Sequence, residues 1–214
     1  MKKKIKITFL LDPKNNWIEK YIKKNFLAVN KKFQFKISKN YQRVFKQNIV
    51  FILGYTKILP NNFLKKNNLN LVVHESNLPK GKGFSPVQWQ ILKNQNKIPI
   101  CLIEANETVD SGPILAKSSF NLEGNELNEE IRLKQAVATI KIIKKFLKKF
   151  PNFSQKKQVG LPTFYKRRYP KDSLLDLNKS LKNNFNLLRI ADNLNYPAYF
   201  IYKGKKYILK IYKD

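Results

Sequence analysis

Residues 70–86 read NLVVHESNLPKGKGFSP, and the character of the chain changes at His74. Asn70 to His74 (NLVVH) is a short, mostly apolar run with two adjacent valines, which suits a strand buried in a sheet. Pro79, Gly81, Gly83 and Pro86 then fill a segment that cannot continue it. The same signature recurs along the chain. Lys4 to Leu11 (KIKITFLL), Phe33 to Ser38, Asn48 to Leu53 (NIVFIL, closed by Gly54) and Pro99 to Ile103 (PICLI) each predict a strand. Helices are predicted from Trp17 to Phe26 and from Pro86 onward, since proline suits a first helical turn. Strands alternating with helices predict an α/β fold whose mostly parallel sheet is covered on both faces.

From Glu126 to Phe150, Leu127, Ile131, Val137, Ile140, Ile143, Leu147 and Phe150 recur at near-helical spacing, which predicts one long amphipathic helix. Glu126, Glu129 and Glu130 at its start and Lys144, Lys145, Lys148 and Lys149 at its finish match the helix dipole. Pro151 stops it, and Asn152 to Gly160 reads as a connector. The chain thus divides into residues 1–150 and a small unit, 151–214. The small unit holds a basic, turn-rich segment (TFYKRRYPKDS), a helix near Ser180 to Ala191, and a hairpin of Ala198–Tyr202 and Lys206–Tyr212 turning at Lys203, Gly204 and Lys205.

The formal charge is +29. A basic surface attracts nucleic-acid phosphates, yet only Arg43, Arg132, Arg167, Arg168 and Arg189 are arginines, the residue suited to bidentate phosphate and base recognition. The excess is lysine, accompanied by abundant Asn, Ile, Phe and Tyr. That pairing reads as AT-rich compositional drift on a solvated surface rather than as an RNA or DNA footprint. No run approaches the length of a transmembrane helix. The apolar run after Lys2, Lys3 and Lys4, interrupted by Lys6 and Thr8 and closed by Asp12, is too short for a signal peptide. The single cysteine, Cys101, excludes an internal disulfide, and no Cys/His cluster marks a zinc site. These features predict a cytoplasmic protein with no membrane association.

His74 is the only histidine. At the carboxyl end of a parallel strand it would stand where open α/β sheets bind ligands, and its near-neutral titration suits a general acid or base. A strand-end histidine bonded only to its loop fits the position equally well. Asp110 lies in VDSGPI (109–114), after the next strand, beside a tight Gly112–Pro113 turn. It could orient a histidine, and it could equally cap its own turn, the commoner use of such an aspartate. Gly81 and Gly83 lack the third glycine of a dinucleotide fingerprint and the lysine of a phosphate loop. They read as a mobile loop over a pocket.

Taken together, HESNLPKGKGFSPVQWQIL followed by VDSGPIL resembles the formyl transferase family, which includes methionyl-tRNA, glycinamide ribonucleotide and amino-sugar formyltransferases. GYTKILP (54–60) is similar to the family's segment lining the folate pocket. FYKRRYPKDSLLD, then NLLRIADNLNYPAYFIYKGKKYILKI, is similar to its acceptor side, so the resemblance spans roughly Asn48 to Tyr212. It implies a Rossmann-like formyltransferase domain in residues 1–150 and an acceptor-side subdomain in 151–214. It implies an enzyme that transfers the formyl group of 10-formyltetrahydrofolate, used as co-substrate without a metal, to an amine. His74 and Asp110 fall on the family's catalytic histidine and aspartate. Tyr55, Ile58, Leu59, Glu104, Val109 and Asp110 are the implied folate contacts, and Ser76, Lys80, Arg167 and Arg168 the implied acceptor contacts.

The family usually carries an asparagine two residues before the histidine, where this chain has Val72. Asn70 shares that strand face but lies about 6 to 7 Å further along, and Asn77 in the loop is the candidate substitute. Glu75 stands where the family commonly has proline and reads as a solvated loop residue. About sixty residues follow the connector, too few for the carboxy-terminal barrel of the methionyl-tRNA enzymes. This favours a small acceptor, a nucleotide-linked amino sugar whose diphosphate Arg167, Arg168 and Lys171 could meet. The alternatives are a methionyl-tRNA formyltransferase-like enzyme, for which charge speaks, and a non-catalytic RNA-binding or regulatory relative, for which the loss of the asparagine speaks.

Overall fold

The computed structural model describes residues 3–28 and 30–214; Lys2, the first of the basic residues ahead of the first strand, lies outside them. In chain order the elements are β1 (Ile5–Leu11), α1 (Glu19–Phe26), β2 (Phe33–Ser38), β3 (Ile49–Leu53), α2 (Asn61–Leu64), β4 (Asn70–His74), β5 (Lys82–Gly83), α3 (Pro86–Leu92), β6 (Lys97–Glu104), β7 (Ile114–Asn121), α4 (Asn128–Lys149), β8 (Phe164–Tyr165), α5 (Leu181–Arg189), β9 (Ala198–Tyr202) and β10 (Lys205–Leu209).

Six strands form the central sheet in the order β2-β1-β3-β4-β6-β7. The pairs β1/β2, β1/β3 and β3/β4 are parallel, whereas β6 runs antiparallel to β4 and β7 antiparallel to β6. The expected mostly parallel α/β sheet is therefore present, with an antiparallel pair added at one side. Strand β7 (ILAKSSFN) has no sequence-level prediction. It is an edge strand whose Lys117, Ser118 and Ser119 break any apolar run, and only Ile114 and Phe120 are buried.

Registers place alternate residues on opposite faces of the sheet. Phe9, Leu11, Phe51, Leu71, Val73, Ile100 and Leu102 point to one face and pack in a single core with Ile22 and Phe26 of α1 and Ile140, Ile143, Phe146 and Leu147 of α4. Leu10, Val50, Ile52, Val72 and Ile103 point the other way, where two smaller clusters meet at Val72. Helix α4 starts two residues later than its charge pattern predicts, with Glu130 reaching back to the Leu127 amide at 2.9 Å. Val137, expected in its apolar stripe, is 56% exposed, and Phe146 takes its place in the core.

Residues after Pro151 are tied to the preceding part of the chain at several points. Lys156 and Ile114 exchange backbone hydrogen bonds, and β8 pairs with β5. The Arg189 guanidinium, 1% exposed at its side chain, meets Glu126 at 2.8 Å, and Arg132 meets Asp192 at 3.0 Å. The terminal hairpin pairs Ala198–Tyr202 with Lys205–Leu209, ending three residues earlier than predicted, and turns through Lys203 and Gly204, both at positive φ.

Candidate active site

The carboxyl ends of β1, β3 and β4 share one rim. Asp12 ties the first two together. Its carboxylate accepts the amides of Lys14 and Asn15 at 2.8 and 3.0 Å and the Thr56 amide at 3.0 Å, and it also accepts the Thr56 hydroxyl. Burial opposes ionisation of Asp12, but these donors prevail and hold it below the ordinary carboxylate range.

Over this rim opens a cavity of about 730 Å³, within the size range of small-molecule sites. Strand β4 divides it. By alternation His74 points to the face carrying Ile52, Val72 and Ile103, where Tyr55, Leu59 and Val109 complete an apolar slot. Glu75 points to the opposite face, towards α4, where Asn128, Arg132, Gln135 and Thr139 line a polar chamber with Trp17 and Asp192. Spacings of four, three and four residues put those four side chains on one stripe of the helix.

His74 is buried, with Nε2 2.8 Å from the Gly81 carbonyl and Nδ1 3.5 Å from Asp110 Oδ2. A carbonyl only accepts, so Nε2 carries the hydrogen and Nδ1 is the nitrogen free to exchange a proton beside the carboxylate. Asp110 Oδ2 also accepts the Gly83 amide at 2.8 Å. The aspartate therefore faces the histidine rather than merely capping its own turn, and it does so from a left-handed backbone (φ 51°), a conformation aspartate tolerates better than most residues.

The loop between β6 and β7 must double back to deliver Asp110. It does so by passing Gly112 against the Glu104 carbonyl, and Gln158 of the connector then clamps it by donating to the Asp110 and Gly112 carbonyls, both at 2.8 Å. Gly83 is equally constrained: at φ 97° a Cβ would lie 2.4 Å from the Tyr165 carbonyl oxygen. The Gly81–Gly83 segment, read from the sequence as a mobile loop, is thus pinned by β8.

The structure brings His74, Asp110, Tyr55, Ile58, Leu59, Val109, Arg167 and Arg168 to the cavity wall. Arg167 donates to the Thr56 carbonyl and lies 4.2 Å over the Phe84 ring; Arg168 donates to the Asp172 carbonyl at 2.7 Å. Asn77, Ser76, Lys80 and Glu104 do not line the cavity. Asn77, expected to replace the strand asparagine, is exposed on the far side of the loop, where Lys117 of β7 donates to it at 3.2 Å. Ser76 is buried beneath the loop, with its carbonyl facing the Cys101 thiol. Lys80 is exposed, and Glu104 stands at the end of β6 where Ala105, Asn106 and Glu107 line the wall instead.

Glu75 corrects the expectation of a solvated loop residue: its carboxylate accepts the Gln135 side chain at 2.7 Å inside the cavity. The α4 stripe has no counterpart among the sequence expectations, although its polar residues at helical spacing within the amphipathic helix are visible in the sequence. Among the described residues no group of three or more His, Cys, Asp or Glu side chains could hold a metal, and no helix is long and apolar enough to cross a membrane.

Residues 6–145 match the family model described as formyl transferase. The chain is 30% identical over 177 residues to the bifunctional polymyxin resistance protein ArnA of Wigglesworthia glossinidia brevipalpis, covering 79% of this chain but 26% of that protein. It thus spans about a quarter of that curated relative. Among solved structures, a methionyl-tRNA formyltransferase from Clostridium thermocellum superposes with a TM-score of 0.82 at 22% identity, covering 94% of this chain and 90% of its own. A sugar N-formyltransferase from a Shewanella species superposes with a TM-score of 0.69 at 16% identity, covering 98% of both chains. At those identities the structures share the fold.

Proposed function

The chain belongs to the formyl transferase family, and from that membership we propose that it moves the formyl group of 10-formyltetrahydrofolate to the amine of a nucleotide-linked amino sugar. The observation that carries this reading is the divided cavity, in which His74 and Glu75 stand at the end of β4 between an apolar slot and a polar chamber. Ile52, Leu59, Val72 and Ile103 suit a flat heteroaromatic ring system such as the pterin of a folate, and neighbouring Asn106 and Glu107 offer polar edges to it. The polar chamber suits a hydroxylated acceptor.

In this reading the folate supplies the formyl carbon and the acceptor amine attacks it. His74 Nδ1 takes a proton from the attacking nitrogen and returns it to the departing one, and its N–H stabilises the oxyanion that forms between those events. Asp110 orients the ring and balances the imidazolium charge. Residues 151–214 form the acceptor side through Asp192, Tyr196, Arg167 and Arg168, and Arg132 over the Trp17 ring offers a charged platform there.

The test is calorimetric titration of the purified protein with 5-formyltetrahydrofolate as a stable analogue, followed by assay of formyl transfer to a set of UDP- and dTDP-linked amino hexoses. One-site analogue binding with transfer to one of these amines is the expected result. Absence of analogue binding would overturn the proposal, and transfer to methionyl-tRNA alone would reassign the acceptor.

A further inference from the structure

Within the polar chamber two groups are left incomplete. The Glu75 carboxylate accepts one side-chain hydrogen bond, from Gln135 at 2.7 Å, and among the described residues no lysine or arginine pairs with it. Burial pushes its carboxyl above the ordinary range; the Gln135 hydrogen bond and the charge of His74 oppose the rise without cancelling it. Thr139, one helical turn beyond Gln135, is 1% exposed, and its hydroxyl oxygen has no hydrogen-bond partner although the residue lines the cavity. A desolvated carboxyl without a cation and a buried hydroxyl without a partner are each costly, and each is relieved by a ligand that brings the missing group.

An ammonium group meets both needs at once, since it carries a positive charge and three donors. Glu75 is also placed for it by covalent connection. As the residue after His74 it faces α4 while His74 faces the slot, so a nitrogen held by Glu75 lies across the strand end from the slot.

We propose that Glu75, Gln135 and Thr139 form the subsite for the acceptor's ammonium group, with Glu75 as its counter-ion and as the base that takes its first proton. This rests on the formyl-transfer reading and assigns to it a catalytic residue at a position where the family commonly has proline. One N–H proton of the ammonium passes to Glu75, freeing the nitrogen lone pair. That pair forms the new C–N bond to the formyl carbon. The second proton leaves through His74 to the folate nitrogen as its bond to the formyl carbon breaks. Glu75 then releases its proton to water, so that one proton appears in solution per formyl group transferred.

The experiment compares wild type with Glu75→Gln, which keeps the shape and the Gln135 contact, and with Thr139→Val. Calorimetry measures binding of the amino hexose nucleotide that the wild type formylates best, and of the same sugar nucleotide with a hydroxyl in place of the amine. Binding of 5-formyltetrahydrofolate and kcat are measured alongside. The expected result is that wild type prefers the amine, that Glu75→Gln loses this preference and about a hundredfold in kcat, and that Thr139→Val weakens amine binding about tenfold. Folate-analogue binding stays unchanged in both variants. A Glu75→Gln protein that keeps the amine preference and near-wild-type kcat overturns the subsite while leaving formyl transfer intact. A wild type that binds no folate analogue overturns formyl transfer and the subsite with it. Should Glu75→Gln fail to fold, an unchanged amine affinity in Thr139→Val overturns the subsite by itself.

Discussion

A Cβ placed on Gly112 would stand 1.7 Å from the carbonyl oxygen of Glu104. The obstruction is main chain of the central sheet, which cannot swing aside as a side-chain terminus would. Gly112→Ala therefore has to displace the loop, and with it Asp110 two residues upstream. The expected loss of stability is roughly 2 to 4 kcal/mol, read from the urea midpoint at unchanged m-value. A variant within about 0.5 kcal/mol of wild type would show that the loop can leave β6 freely, and the Asp110–His74 placement would lose its structural cause.

Removing the imidazole is expected to separate chemistry from binding. His74 touches Gly81 and Asp110 but contributes little of the apolar slot, which Ile52, Leu59 and Ile103 build. For His74→Ala, kcat for formyl transfer should fall by about two to four orders of magnitude, with 5-formyltetrahydrofolate binding within about threefold of wild type. Turnover near the wild-type rate would remove His74 from the mechanism.

Strand β4 shows how much the sequence carries and where it stops. NLVVH is legible as a buried strand because both of its faces are covered, and His74 at its end is legible as a candidate because parallel strands present ligands there. Asp110 is readable as a candidate, but its approach to His74 depends on a reversal of the loop at Gly112 that only the close contact with Glu104 reveals. Strand β7 stays hidden because an edge strand with one half-covered face has no continuous apolar run. Glu75 is misread for a related reason: a lone acidic residue in a loop is usually solvated, and nothing local indicates that Gln135, sixty residues away, closes over it. Asn77 is misplaced because spacing from His74 cannot say which side of the loop its side chain takes.

Val72 marks the strand position at which the family's asparagine is missing, and it lies in the slot on the same face as His74. In the proposed reaction, an apolar side chain there leaves His74 to stabilise the oxyanion without an amide beside it. Val72→Asn restores that donor and is expected to raise kcat by about tenfold or more, at a stability cost of about 1 to 3 kcal/mol for placing an amide among Ile52 and Ile103. Denaturation and steady-state kinetics on the same preparation check both halves. An unchanged kcat would mean that another donor already serves the oxyanion in this chain.

Glu126 is expected to set the acid limit of the fold. The Glu126 side chain is 4% exposed and meets Arg189 at 2.8 Å and Lys134 at 2.6 Å. Burial alone would raise its pKa, but Lys134 and the amides of Glu123 and Gly124 outweigh this and lower it from 4.5 to about 2. A carboxyl depressed in the folded state stabilises the fold at every pH above its unfolded value and loses that contribution as pH falls through its folded value. For Glu126 the difference amounts to about 3 kcal/mol at neutral pH, lost between roughly pH 4.5 and pH 2. Asp192, also held low by hydrogen bonds and Arg132 against its own burial, adds to the loss in the acid range. Urea midpoints measured from pH 7 down to pH 2 should fall steeply in that window for wild type and more gently for Glu126→Gln. At pH 7, Glu126→Gln leaves the buried Arg189 uncompensated and should cost about 3 to 5 kcal/mol. Equal slopes in the two proteins would show that Glu126 is not the group whose protonation loosens the chain in acid.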